Sequence, residues 1–181
     1  MKATFFLNGR NWGADDITSG SKSALVQRMV AEGHQVASHT WDHADLTTLS
    51  DAQVAAEMTQ FETALMSIIG KAPTYMRAPY FSCGAACLNV MNSLGYHVVG
   101  TDLDTLDWQG SIQSSKDIFA SALNAASPSS SSFLVLAHDV HAATVDSLSP
   151  FMIATIQARG FQAATVGECL GDPAANWYRT V

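Results

Sequence analysis

In the stretch SHTWDH, residues 38–43, two imidazoles stand four positions apart, His39 and His43. Neutral imidazole is a good zinc ligand, and a turn after a strand can aim two such rings at one point. The pair lacks the flanking glutamate of the HExxH metalloprotease pattern. Three further stretches carry groups able to work on an acyl carbon. RAPY, 77–80, sets Arg77 ahead of Pro79, whose ring stiffens the loop. Arg77 suits holding a carboxylate in place, and Tyr80 with its N–H suits receiving an oxyanion. DLDTLDW, 102–108, gathers three carboxylates, Asp107 among them, and ends on Trp108. LAHDVH, 136–141, sets Leu136 in an apolar run and then His138, Asp139 and His141. A histidine there can serve as a general acid whose pKa a nearby carboxylate sets. Each stretch also has a purely structural account: surface imidazoles, a salt-bridged arginine, solvated loop carboxylates, a satisfied core histidine.

Positioning such groups takes a scaffold, and the chain alternates strand-like and helical patterns. TFFL (4–7), HQVAS (34–38), TYMRA (74–78), HVVGTD (97–102), FLVLA (133–137) and FQAAT (161–165) read as strands. Helical periodicity runs over 21–33, 49–70, 84–95, 115–126 and 144–160, with a Ser50/Gln53 capping box and a stop at Gly70. SPSSSS (127–132) reads as a surface loop. Strict β/α alternation with apolar strands predicts an α/β fold with a parallel sheet and helices outside it, either barrel-like or doubly wound. The chemically capable residues fall where strands end, so in a barrel they are expected to converge at one mouth.

Composition excludes several classes. The 181 residues suit one domain, 1–181; 48% are apolar and 14% charged. A net charge of −7 with nine Lys+Arg argues against nucleic-acid or anionic-membrane partners. Apolar runs are too short to span a bilayer, and MKATFFLNG reads as a buried strand rather than a signal peptide. Of three cysteines, Cys83 and Cys87 in CGAAC could close a small loop in an oxidising compartment; alternatively all three, with Cys169, are unpaired buried thiols.

Together the stretches resemble the polysaccharide deacetylases, the NodB-homology family, and in particular the fungal chitin deacetylases. Four of the family's five ordered motifs are similar in sequence and spacing: HTWDH, RAPY, DTLDW (104–108) and LAHD (136–139). ATFFLNGRNW and the segment around the metal motif look like the family's flanking strand and helix, so the resemblance covers essentially the whole chain. It implies a distorted (β/α) barrel and a secreted enzyme that hydrolyses N-acetyl groups of chitin or chitooligosaccharides, giving chitosan and acetate. It implies a divalent metal, Zn²⁺ or another such as Co²⁺, on His39 and His43. Tyr80 would give its backbone N–H to the oxyanion, Arg77 would orient the catalytic base, and Asp107 would hold a catalytic neighbour. Trp108 would wall the site, Leu136 would line the acetyl pocket, and His138 would protonate the leaving amine. Cys83 and Cys87 would pair, leaving Cys169 for a partner near the family's N-terminus.

The departure is the family's first motif, whose two aspartates supply the general base and a third metal ligand from a strand ahead of ATFF. Here Met1 directly precedes that strand, and Asp15-Asp16 in GADDITSG lacks the motif's flanks. The expectation is a chain shortened at its N-terminus and missing the barrel's first strand, in which activity is in doubt. Two alternatives follow: a non-catalytic chitooligosaccharide-binding protein of the same fold, or, setting resemblance aside, an α/β protein binding a small anionic ligand. Oligomeric state is not legible.

Overall fold

Aromatic and β-branched residues at the start form the first strand of a computed structural model that describes residues 1–11 and 15–180. Trp12, Gly13 and Ala14, which fall in ATFFLNGRNW and GADDITSG, lie outside the described residues. In chain order the elements are β1 (Thr4–Leu7), α1 (Gly20–Ala31), β2 (Gln35–Ser38), α2 (Asp51–Ile69), β3 (Ala72–Pro73), β4 (Tyr75–Met76), α3 (Ala85–Ser93) and β5 (His97–Val98). There follow β6 (Leu103–Asp104), α4 (Ile112–Asn124), β7 (Val135–Leu136), α5 (Ser149–Arg159), α6 (Val166–Cys169) and β8 (Tyr178–Arg179). The chain falls into two compact units. One comprises Lys2–Val99 and Thr165–Val181; the other comprises Gly100–Ala164 together with Met1.

In the first unit β1, β2, β4 and β5 form a parallel sheet in that order, with Thr4 opposite Gln35 and Leu7 opposite Ser38. All four residues of β2 are buried, as a strand covered on both faces requires. Helix α2 carries the expected capping box: Ser50 accepts from the Gln53 N–H, and the Gln53 side chain returns to the Ser50 N–H. It ends at Gly70 with φ 70°, a left-handed turn that costs glycine little. Val54, Met58, Phe61, Leu65 and Ile68 recur every three or four residues and bury one face of α2. Val54 and Met58 pack with Leu46, Met76 and Met91, while Phe61, Leu65 and Ile68 pack with Val26 and Val36. Phe61 is fully buried, and Phe61→Ala is expected to cost about 3–5 kcal/mol.

In the second unit β6 and β7 pair in parallel, Leu103 opposite Val135 and Asp104 opposite Leu136. Leu103, Phe119 and Leu123 centre its core, joined by Phe133, Phe151, Ile156 and Phe161. The helix expected over 144–160 begins instead as a π-helical turn, Thr144–Leu148, in which the Ser149 N–H reaches back to the Thr144 carbonyl. Pro150 has no N–H for the carbonyl of Asp146, so the α-helical ladder is interrupted there.

One strand expectation needs correction, and other strands lie outside those expected. FQAAT (161–165) has no ladder partner and is not a strand: Phe161 packs on Phe133, with ring centroids 6.0 Å apart, and Thr165 caps α6. Strand propensity makes a strand only where a neighbour supplies the hydrogen bonds. Conversely, Ala72–Pro73 pairs antiparallel with Tyr178–Arg179, and Leu103–Asp104 forms a strand of its own. Among the described residues no helix is long and apolar enough to cross a membrane.

Candidate active site

The site residues of the first unit stand on the ends of β2 and β4. After Ser38 the chain turns through Thr40 and His43, both with positive φ, 72° and 56°. The His39 and His43 rings lie edge to face, centroids 4.9 Å apart. His39 Nδ1 meets the Arg77 carbonyl at 2.7 Å, so that ring donates from Nδ1 and its Nε2 is the nitrogen with a lone pair. His43 Nδ1 stands 3.2 Å from the Tyr80 hydroxyl, and their ring centroids are 4.8 Å apart. Arg77 is buried with its guanidinium 4.4 Å from the centre of the Phe6 ring, a cation–π contact. Tyr80 is exposed, and both Tyr80 and Phe81 have positive φ, 55° and 54°.

The site residues of the second unit follow β6 and β7. The Asp107 side chain is wholly removed from solvent and accepts three hydrogen bonds. His138 Nδ1 donates to Oδ1 at 2.7 Å, the His138 backbone N–H to Oδ2 at 2.6 Å, and the Thr144 hydroxyl to Oδ2 at 2.7 Å. Burial alone would push the Asp107 carboxyl up; the His138 and Thr144 hydrogen bonds outweigh it and hold the group below the ordinary carboxylate range. The fixed contact at Nδ1 orients the partly exposed His138 ring and leaves Nε2 as the nitrogen that can carry a proton to a substrate. Leu136 is buried in β7, and Trp108 is exposed beside Asp107.

Among the described residues, the five non-glycine residues with positive φ are Thr40, His43, Tyr80, Phe81 and Leu106, each in or beside one of the sequence motifs. Such conformations cost about 1–3 kcal/mol each and persist where surrounding contacts enforce them. The sequence reading missed Thr144, whose place in an apolar helical pattern carries no signal of its own.

The other acidic candidates have partners. Asp16 Oδ1 accepts from the Thr18 N–H at 2.8 Å and the Thr18 hydroxyl at 2.6 Å, a turn that opens α1. Asp42 is paired bidentately with Arg10 at 2.9 and 3.0 Å. His39 and His43 fit two positions on a divalent metal by donor type, ring proximity and the fixed His39 tautomer. Among the described residues no third His, Cys, Asp or Glu completes a group of three with them. Cys83 and Cys87 form a disulfide with Cα atoms 5.2 Å apart, and Cys169 is free and exposed, so the reading of three buried thiols does not hold.

The family model for polysaccharide deacetylase matches residues 1–99. The chain belongs to the polysaccharide deacetylase family. It is 50% identical over 181 residues to a chitin deacetylase of a Pestalotiopsis species, covering 99% of this chain and 58% of that protein. It is 45% identical over 182 residues to the chitin deacetylase of Colletotrichum lindemuthianum, covering 99% of this chain and 73% of the relative. The solved structure of the chitin deacetylase from the fungal pathogen Colletotrichum lindemuthianum superposes with a TM-score of 0.91 at 45% identity, over 98% of this chain and 79% of that one. The α/β fold expected from the resemblance is therefore the family's fold, and the deacetylase family is in general metal-dependent.

Proposed function

We propose that this polysaccharide deacetylase-family chain carries the residues for hydrolysing N-acetyl groups of chitin or chitooligosaccharides to acetate and free amine. The relatives named chitin deacetylases, at 45–50% identity over nearly the whole chain, support the substrate class. The observation that carries the chemistry is the Asp107–His138 pair, a buried carboxylate that fixes one imidazole through both its backbone and its ring.

His39 and His43 are the residues that would hold a divalent metal, Zn²⁺ or Co²⁺. When bound, such an ion supplies Lewis acidity to the acyl carbonyl and to water. The Arg77 carbonyl holds the His39 ring, and the stiff RAPY loop offers the Tyr80 N–H to an oxyanion. By the family resemblance, Arg77 would orient a carboxylate base. His138 keeps its Nδ1 proton on Asp107 and gives the Nε2 proton to the departing amine nitrogen as the C–N bond breaks. Exposed Trp108 offers a face for the sugar, and Leu136 offers apolar surface to the acetyl methyl. The Cys83–Cys87 disulfide favours an oxidising, extracellular setting.

The test is acetate release from N-acetylated chitooligosaccharides with added Zn²⁺ or Co²⁺. Release that His138→Ala abolishes is the expected result. Oligosaccharide binding without release would move the reading to a non-catalytic binding protein, and neither binding nor release would remove chitin as substrate.

A further inference from the structure

The loop between the two histidines has a nearly complete backbone hydrogen-bond account, and one partner in it comes from a helix. The His39 N–H donates to the Leu7 carbonyl at 2.8 Å, and the Thr40 N–H to Ser38 Oγ at 3.2 Å. The Thr40 carbonyl accepts from the Gly9 N–H at 3.1 Å and the Trp41 carbonyl from the Arg10 N–H at 2.6 Å. The next two N–H groups, of Trp41 and Asp42, both donate to one carboxylate oxygen, Glu57 Oε2, at 3.0 and 2.8 Å. Glu57 lies in the second turn of α2, whose neighbours Val54, Met58 and Phe61 are buried, so the carboxylate is presented from a rigid base. Among the described residues, Glu57 is the side chain that holds the stretch between the two imidazoles through consecutive N–H groups.

We infer that Glu57 is a positioning residue that sets the spacing of His39 and His43 for a divalent ion. The inference rests on the metal reading of those two histidines. Two N–H dipoles converging on an anionic oxygen form charge-assisted bonds, stronger than neutral ones. They hold the chain in the conformation that His43, at φ 56°, adopts against its intrinsic preference. Without the carboxylate, the Trp41–Asp42 peptide is free to rotate and the rings lose their common aim. Groups that orient metal-binding histidines in this way typically matter by about 10–100-fold in metal affinity.

Zn²⁺ titration by calorimetry on the full chain, together with imidazole ¹⁵N spectra of the metal-free protein, tests this. Glu57→Ala is expected to weaken Zn²⁺ binding about 10–100-fold and to shift the His39 and His43 ring signals. Glu57→Gln keeps an acceptor oxygen at the same reach and is expected to restore most of the affinity. Glu57→Ala that lowers the melting temperature but leaves Zn²⁺ affinity and ring signals as in the parent would assign Glu57 to stability alone and overturn the proposal. If Glu57→Ala does not fold, Glu57→Asp decides: its carboxylate is one methylene shorter, and parental affinity there overturns the proposal. His39→Ala separates the two layers, since unchanged Zn²⁺ binding in that variant sinks the metal reading and the positioning role with it.

Discussion

The two imidazole clusters are held by opposite devices. In the 107/138 cluster a single buried carboxylate is the hub, and it accepts from the His138 ring, the His138 backbone and Thr144. In the 39/43 cluster backbone geometry does the holding: a carbonyl fixes the His39 ring, and the loop is pinned by the Gly9, Arg10 and Glu57 contacts. A hub of charge makes its histidine dependent on protonation, whereas a backbone frame makes its histidines dependent on local shape. The contrast suits the proposed roles, because a proton donor needs a tuned, charged partner, while metal ligands need a fixed tautomer and a set spacing.

The largest effects come from removing an imidazole from each cluster. His138→Ala is expected to lower acetate release by about 10²–10⁴-fold while leaving Zn²⁺ affinity as in the parent. His39→Ala is expected to do the reverse first, weakening Zn²⁺ binding in calorimetry without touching the Asp107 environment. Equal effects of the two variants on metal affinity would erase the distinction between the clusters.

Next is the hub itself. Asp107→Ala leaves two His138 donors and the Thr144 hydroxyl without their anion, and is expected to cost about 3 kcal/mol in denaturant unfolding. The folded carboxyl lies below its ordinary value, so its contribution is complete above the unfolded pKa of about 3.9 and is lost as pH falls through the folded value. Melting curves of Asp107→Asn are therefore expected to fall less steeply than the parent's below about pH 4, and a parallel decline would refute the hub.

Much of this was readable before the structure. Helix α2, with its capping box and glycine stop, followed from local rules that tertiary packing had no reason to override. His39, His43, Arg77, Tyr80, Asp107 and His138 stood out because each sits after an apolar run, where strand ends present polar groups. Thr144 and Glu57 did not, because each lies in an ordinary helical pattern and acquires its task from a neighbour brought near by folding. FQAAT and Ala72–Pro73 mark the same boundary: ladder partners, set at long range, decided against propensity in the first and against proline in the second.

The backbone frame predicts sensitivity to volume. A Cβ added at Gly9 would fall inside the indole ring of Trp41, and that ring is too stiff to yield cheaply. Gly9→Ala is expected to cost about 1–3 kcal/mol, with ring-signal shifts at His39 and His43 and none at His138. A shift at His138 alone would contradict a frame confined to the loop.

The smallest change probes the hub most finely. Thr144→Val keeps the side-chain volume in a buried position but deletes one of the two donors on Asp107 Oδ2. It is expected to cost about 1 kcal/mol, since His138 still satisfies both oxygens. Deleting a donor to the charged form raises the folded pKa toward its ordinary value, so the acid-induced loss of stability is smaller and is complete at higher pH than in the parent. The direction separates two accounts of the same variant. A packing defect lowers stability equally at every pH, whereas loss of a donor to the carboxylate lowers it most where the carboxyl is ionised and least in acid, and only the second is compatible with Asp107 as the anion that organises His138.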